Sequence, residues 1–133
     1  VLLTHMQVFA LYAALNAIII LALALLVVRA RRRHKVQIGD GGQPELLRAQ
    51  RAHGNAIEYV PLVLVLLLTL ASLKASLVVI HVIGALLTFG RLLHAIGLSR
   101  SSGVSIGRAG GMLLTWTALL LAIVACLFYA FGL

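Results

Sequence analysis

Five side chains in one stretch of this chain share a helical face: Arg48, Arg51, Asn55, Glu58 and Tyr59. At about 100° per residue they fall within an arc of roughly 100°, and at about 1.5 Å per residue they form a stripe about 16 Å long. His53 points away from it. The stripe runs straight into Val60-Pro61-Leu62-Val63-Leu64-Val65-Leu66-Leu67-Leu68, so charged groups stand where hydrocarbon begins. Charge at membrane depth is costly and must face protein or a water-filled cavity. Arg forks match carboxylates bidentately, and Glu58 can take an ammonium or lock a neighbouring Arg.

A second set lies further along. Arg91 and His94 are three apart and share a face near the end of the third apolar run, and Arg108 opens the fourth. Three helices then present Arg groups and one carboxylate at one depth. Cations outnumber the acid, so the pocket suits an anionic ligand that also carries a cationic end.

The elements that position these residues follow from composition. The chain has 133 residues, 62% of them hydrophobic, and three acids, Asp40, Glu45 and Glu58. That is too apolar for a soluble domain of this size. Each span needs roughly 20 apolar residues, and the chain holds four such stretches. The expected fold is an all-α membrane protein: one four-transmembrane-helix bundle over 1–133, with helices at about 6–29, 44–72, 75–98 and 107–131. The first run is not read as a signal peptide, because it is long, lacks a basic leader and ends in Arg29-Ala30-Arg31-Arg32-Arg33.

The net charge of +8 does not point to nucleic acid, because it sits beside apolar spans. Arg29, Arg31, Arg32, Arg33 and Lys35 follow the first helix, and Arg100 and Arg108 precede the fourth. The second connection has only Lys74. The positive-inside rule places both basic loops in the cytoplasm and both termini outside. The basic run and Arg100 read as topology determinants that snorkel to lipid headgroups.

Other polar residues have structural readings. Asn16 is expected to bond across helices, and His81 to be hydrogen-bonded rather than a ligand. Cys126 reads as a small packing residue, and no metal site is expected. Gly39-Asp40-Gly41-Gly42 is a turn, and Pro44 with Glu45 suits a helix start. Pro61 should bend the second helix. Ser99–Gly107 reads as a Ser/Gly loop. Gly110-Gly111 permits close helix approach or flexibility. Glu58 with Arg51 has a competing reading as a structural ion pair, and Arg91 with His94 as a helix C-terminal cap.

Glu45, Arg48, Arg51-Ala52, Asn55, Glu58-Tyr59 and Pro61 together resemble the MAPEG family, the membrane-associated proteins in eicosanoid and glutathione metabolism. Gly90-Arg91-Leu92-Leu93-His94 looks like the family's third-helix motif, and Arg108 like its basic position on the fourth. The likeness covers nearly the whole chain and is greatest to the small bacterial branch. It implies a homotrimer in a bacterial inner membrane, with glutathione held between subunits near the cytoplasmic face. By this resemblance Arg48, Arg51, Asn55 and Glu58 hold the tripeptide's charged ends beside Tyr59. Arg91 and His94 line the site, Arg108 polarises the sulfur, and Arg29 or Arg31 reaches a carboxylate. Leu98 and His94 stand where several relatives carry tyrosine.

The function expected from this likeness is a glutathione transferase, with peroxidase activity a further expectation, acting on lipophilic electrophiles that arrive from membrane lipid. The alternatives are a non-catalytic lipid-binding scaffold of the same fold and a small multidrug exporter. Haem binding fits least, because His53, His81 and His94 form no axial pair.

Overall fold

A computed structural model of the protein describes residues 2–100 and 105–133. The described chain forms four helices: α1 (His5–His34), α2 (Pro44–Ser72), α3 (Leu77–Arg100) and α4 (Ile106–Ala130). All four are long and apolar enough to cross a membrane. The Ser/Gly loop expected at 99–107 falls largely on 101–104, which lie outside the described residues.

α1 starts on a capping box. Thr4 Oγ1 accepts from the Gln7 backbone N–H at 3.2 Å, and the Thr4 N–H donates to Gln7 Oε1 at 2.8 Å. The helix does not stop at 29 as expected but runs through the basic residues to His34. Arginine is a good helix former, and Arg31, Arg32, Arg33 and His34 lie where cations complement the helix C-terminus. Lys35, in the left-handed region at φ 55°, ends it.

α2 begins with Pro in its first turn and Glu45 beside it. Glu45 also ties the two helices together. Its carboxylate accepts from Arg33 Nη1 at 3.0 Å and lies 2.8 Å from His34 Nε2. α2 continues unbroken across Pro61, which sits on its exposed side. Its buried residues Ala52, Ala56, Val60, Val63, Leu67 and Leu70 recur every three or four positions. Val60, Val63, Leu67 and Leu70 pack with Ile80, Ile83 and Leu87 of α3 and Ala118 and Ala122 of α4, while Ile19 and Leu23 of α1 join Ala52, Ala56 and Leu98. By helical phase, the Arg48–Tyr59 stripe lies beside this buried face rather than opposite it.

Polar groups inside the bundle are tied between helices. Asn16 is fully buried; its Nδ2 donates to Thr88 Oγ1 and to the Tyr12 carbonyl, each at 2.9 Å. Tyr12 Oη lies 2.9 Å from His81 Nδ1, with the two rings edge-on. Asn16 thus bonds across helices and His81 is hydrogen-bonded, as expected. Cys126 is half-buried, with Sγ 3.6 Å from the Leu66 carbonyl.

α3 and α4 meet along glycines. A Cβ on Gly90 would lie 2.9 Å from the Gly111 carbonyl, and one on Gly111 would overlap the His94 backbone nitrogen. Gly97 packs in the same way on the Arg108 nitrogen. Gly111 thus serves close approach, whereas Gly110 faces open space.

Candidate functional site

A cavity of about 460 Å³ opens between α2, α3 and α4. α2 contributes Pro44, Leu47, Arg48, Arg51, Asn55 and Tyr59. α3 contributes His94 and Leu98, and α4 contributes Arg108, Met112 and Trp116. Six residues singled out from the sequence therefore meet in one place: Arg48, Arg51, Asn55, Tyr59, His94 and Arg108.

Local structure explains the convergence. The stripe phase on α2 aims four of the six. The glycine seam draws α4 onto α3, so that His94 and Arg108 sit at its two sides. Ser105 caps α4, its Oγ accepting from the Arg108 N–H at 3.1 Å, which fixes where the Arg108 backbone begins.

The electrostatics are one-sided. Three guanidinium-bearing residues line the cavity and no carboxylate does. Each of the chain's three acids is elsewhere. Asp40 accepts from the Gly42 N–H within its turn, and Glu45 is bound to Arg33 and His34. Glu58 is exposed on α2, outside the cavity lining. Among the described residues neither Arg48 nor Arg51 makes an ion pair, so the Arg51–Glu58 structural pair does not form within one chain. Asn55 Oδ1 is buried without a hydrogen-bond partner. The cationic lining suits an anion, and the Asn55 oxygen suits a donor on the same ligand.

Besides Glu58, two expected residues stand apart. Arg91 is fully buried and lies behind His94, with Nη2 3.1 Å from His94 Nδ1, instead of lining the cavity. Arg31 turns toward the loop after α1, where Nη1 donates to the carbonyls of Gln37 at 3.2 Å and Gly39 at 2.9 Å. Arg29, the other candidate of the basic run, does line a cavity. With Arg33, Glu45 and Arg48 it borders a smaller one, of about 170 Å³, between α1 and α2.

Sequence reasoning missed the apolar wall. Met112 and Trp116 follow Arg108 at successive intervals of four, so helical spacing places all three on one face. Leu98 follows His94 by the same interval. These side chains give the cavity an apolar side next to its cationic one. Among the described residues, no group of three or more His, Cys, Asp or Glu is placed to hold a metal ion.

Known proteins resemble this chain over nearly its whole length. The inner membrane protein YecN of Escherichia coli strain K12 is 42% identical over 123 residues, covering 92% of each chain. YecN from Escherichia coli O6:H1 matches to the same extent. This protein is thus a homologue of an inner membrane protein and has four helices that could span a bilayer. Residues 9–128 match the MAPEG family, taking in every lining residue of the cavity, and the chain belongs to that family.

Proposed function

We propose that the cavity binds glutathione and that the protein is a membrane glutathione transferase acting on apolar electrophiles from the lipid phase. The observation that carries this reading is the pairing of three cavity arginines, uncompensated by any lining carboxylate, with an apolar wall of Leu98, Met112 and Trp116. Glutathione brings two carboxylates, peptide amides and a thiol to such a site. Arg48 and Arg51 hold the carboxylates as bidentate forks. Asn55 and His94 meet the peptide groups. The electrophile rests on the apolar wall.

Arg108 is the sulfur-activating residue in this reading. A thiol of ordinary pKa about 8.5 is mostly protonated at neutral pH, and an adjacent fixed cation favours the thiolate. The thiol proton passes to water. The sulfur lone pair then forms the S–C bond, and the electrophile's leaving group departs with the electron pair of the bond it breaks. For an aryl halide the products are the thioether and halide.

The assembly proposed is a homotrimer, with both termini outside and the cavity toward the cytoplasm. Glu58 takes the ligand's ammonium only if a neighbouring subunit closes the site, since it lies outside the cavity of its own chain. A second reading, ligand binding without turnover, rests on Leu98: this wall position offers no hydroxyl where several catalytic relatives carry tyrosine. Calorimetric titration of detergent-purified protein with glutathione tests the binding. Saturable heat is expected, and its absence would remove the reading. Turnover of an aryl halide by the same preparation separates transferase from scaffold.

A further inference from the structure

His94 lines the cavity yet is only 3% exposed, and Arg91, one turn earlier on α3, is 0% exposed. Arg91 Nη2 lies 3.1 Å from His94 Nδ1. A guanidinium has donors and no acceptor, so Nδ1 must be the acceptor and carries no proton. The imidazole proton then sits on Nε2. Nε2 has no hydrogen-bond partner among the described residues, and it is absent from the sealed, unsatisfied atoms of the interior. It is the polar atom His94 has left to offer the cavity.

The rest of the Arg91 environment supports this division of labour. Arg91 Nη1 lies 3.5 Å from Thr115 Oγ1 and 3.6 Å from Met112 Sδ. The Thr115 hydroxyl donates to the Gly111 carbonyl at 2.8 Å, which leaves its lone pairs for Arg91. Arg91 Nε is buried without a partner, and among the described residues no carboxylate pairs with this guanidinium. An interior arginine is ordinarily held by an acid. The shortest hydrogen bond from the Arg91 guanidinium is instead the one to His94.

We propose that Arg91 is a positioning residue that locks His94 in the Nε2–H tautomer. The α3 wall of the cavity then presents a fixed donor, and the site selects a ligand with a carbonyl or carboxylate oxygen at that point. A ligand offering an amine there would set donor against donor. The identity of that ligand rests on the glutathione reading; the tautomer does not.

The test is nitrogen NMR of ¹⁵N-histidine-labelled protein in detergent, first without ligand. Two-bond correlations distinguish the protonated ring nitrogen from the bare one, and His94→Gln assigns the signal. The wild type should show Nε2 protonated and Nδ1 bare. Arg91→Lys, which can also only donate, should keep that pattern. Arg91→Gln, whose amide both donates and accepts, should give mixed tautomers. For glutathione, Arg91→Gln should bind about tenfold more weakly, and Arg91→Lys within about twofold of the wild type.

A wild-type His94 protonated on Nδ1 would overturn the proposal, whether or not any variant folds. So would an Arg91→Gln spectrum that keeps the pure Nε2–H form. A locked tautomer that does not respond to glutathione would uphold the positioning role and remove the glutathione reading instead.

Discussion

Gly111 of α4 sits directly against the backbone of His94 on α3, leaving no room for a Cβ between them. Gly97 and the Arg108 nitrogen repeat the contact one turn further along α3. The seam therefore sets the spacing between two residues of the candidate site. Gly111→Ala should force the helices apart, lowering stability by about 1–3 kcal/mol and weakening glutathione binding. Gly110→Ala, which faces open space, should be neutral or gain up to about 1 kcal/mol from helix propensity. Thermal unfolding in detergent compares the two. Equal losses would show that the seam is not what holds α3 and α4 together.

The Tyr12–His81 and Asn16–Thr88 bonds lie outside the cavity lining and should matter for stability alone. Asn16→Leu is expected to cost about 1 kcal/mol, typical of hydrogen bonds between membrane helices, with glutathione affinity unchanged. A stable Asn16→Leu protein that no longer binds glutathione would give this pair a functional part.

Arg51 and His53 are two residues apart, but only Arg51 lines the cavity. Arg51→Ala should weaken glutathione binding by about 2–5 kcal/mol, the range for a desolvated charged contact. His53→Ala should change it little. A larger loss in His53→Ala would mean that the stripe on α2 has the wrong phase. Glu58→Ala reports on assembly: a strong loss is expected only if a second subunit brings ligand to the exposed face of α2.

Orientation and assembly can be measured without ligand. A reporter fused after Leu133 should behave as non-cytoplasmic, from the Lys/Arg asymmetry of the connections. Native mass measurement should give three subunits. Cytoplasmic reporter activity would overturn the orientation, and a monomer that still binds glutathione would rule out a site shared between subunits.

Much of this arrangement was legible in the sequence because it depends on helical period. The phase of Arg48, Arg51, Asn55 and Tyr59 is a property of α2 alone, and these residues do line one cavity. What depends on neighbouring helices was not legible. Arg91 and His94 share a face, but Arg91 is enclosed against Met112 and Thr115 of α4 while His94 lines the cavity. Arg31 follows from the family resemblance and not from helical phase, so its surroundings could not be read locally. α1 continues to His34, and the left-handed turn at Lys35 brings loop carbonyls onto the Arg31 guanidinium. The Met112 and Trp116 wall was readable from its spacing after Arg108, but apolar residues in an apolar helix carry no local mark.

The role of Arg108 is where site and chemistry meet. A thiolate absorbs in the ultraviolet where a thiol does not, so the absorbance difference on adding glutathione reports sulfur ionisation in the site. The wild type should show that difference together with aryl halide turnover. Arg108→Leu should keep glutathione binding largely intact while both the thiolate signal and the turnover fall in parallel, and Arg100→Leu should change neither. If Arg108→Leu retained the full thiolate signal and full turnover, Arg108 would not be the residue that activates the sulfur.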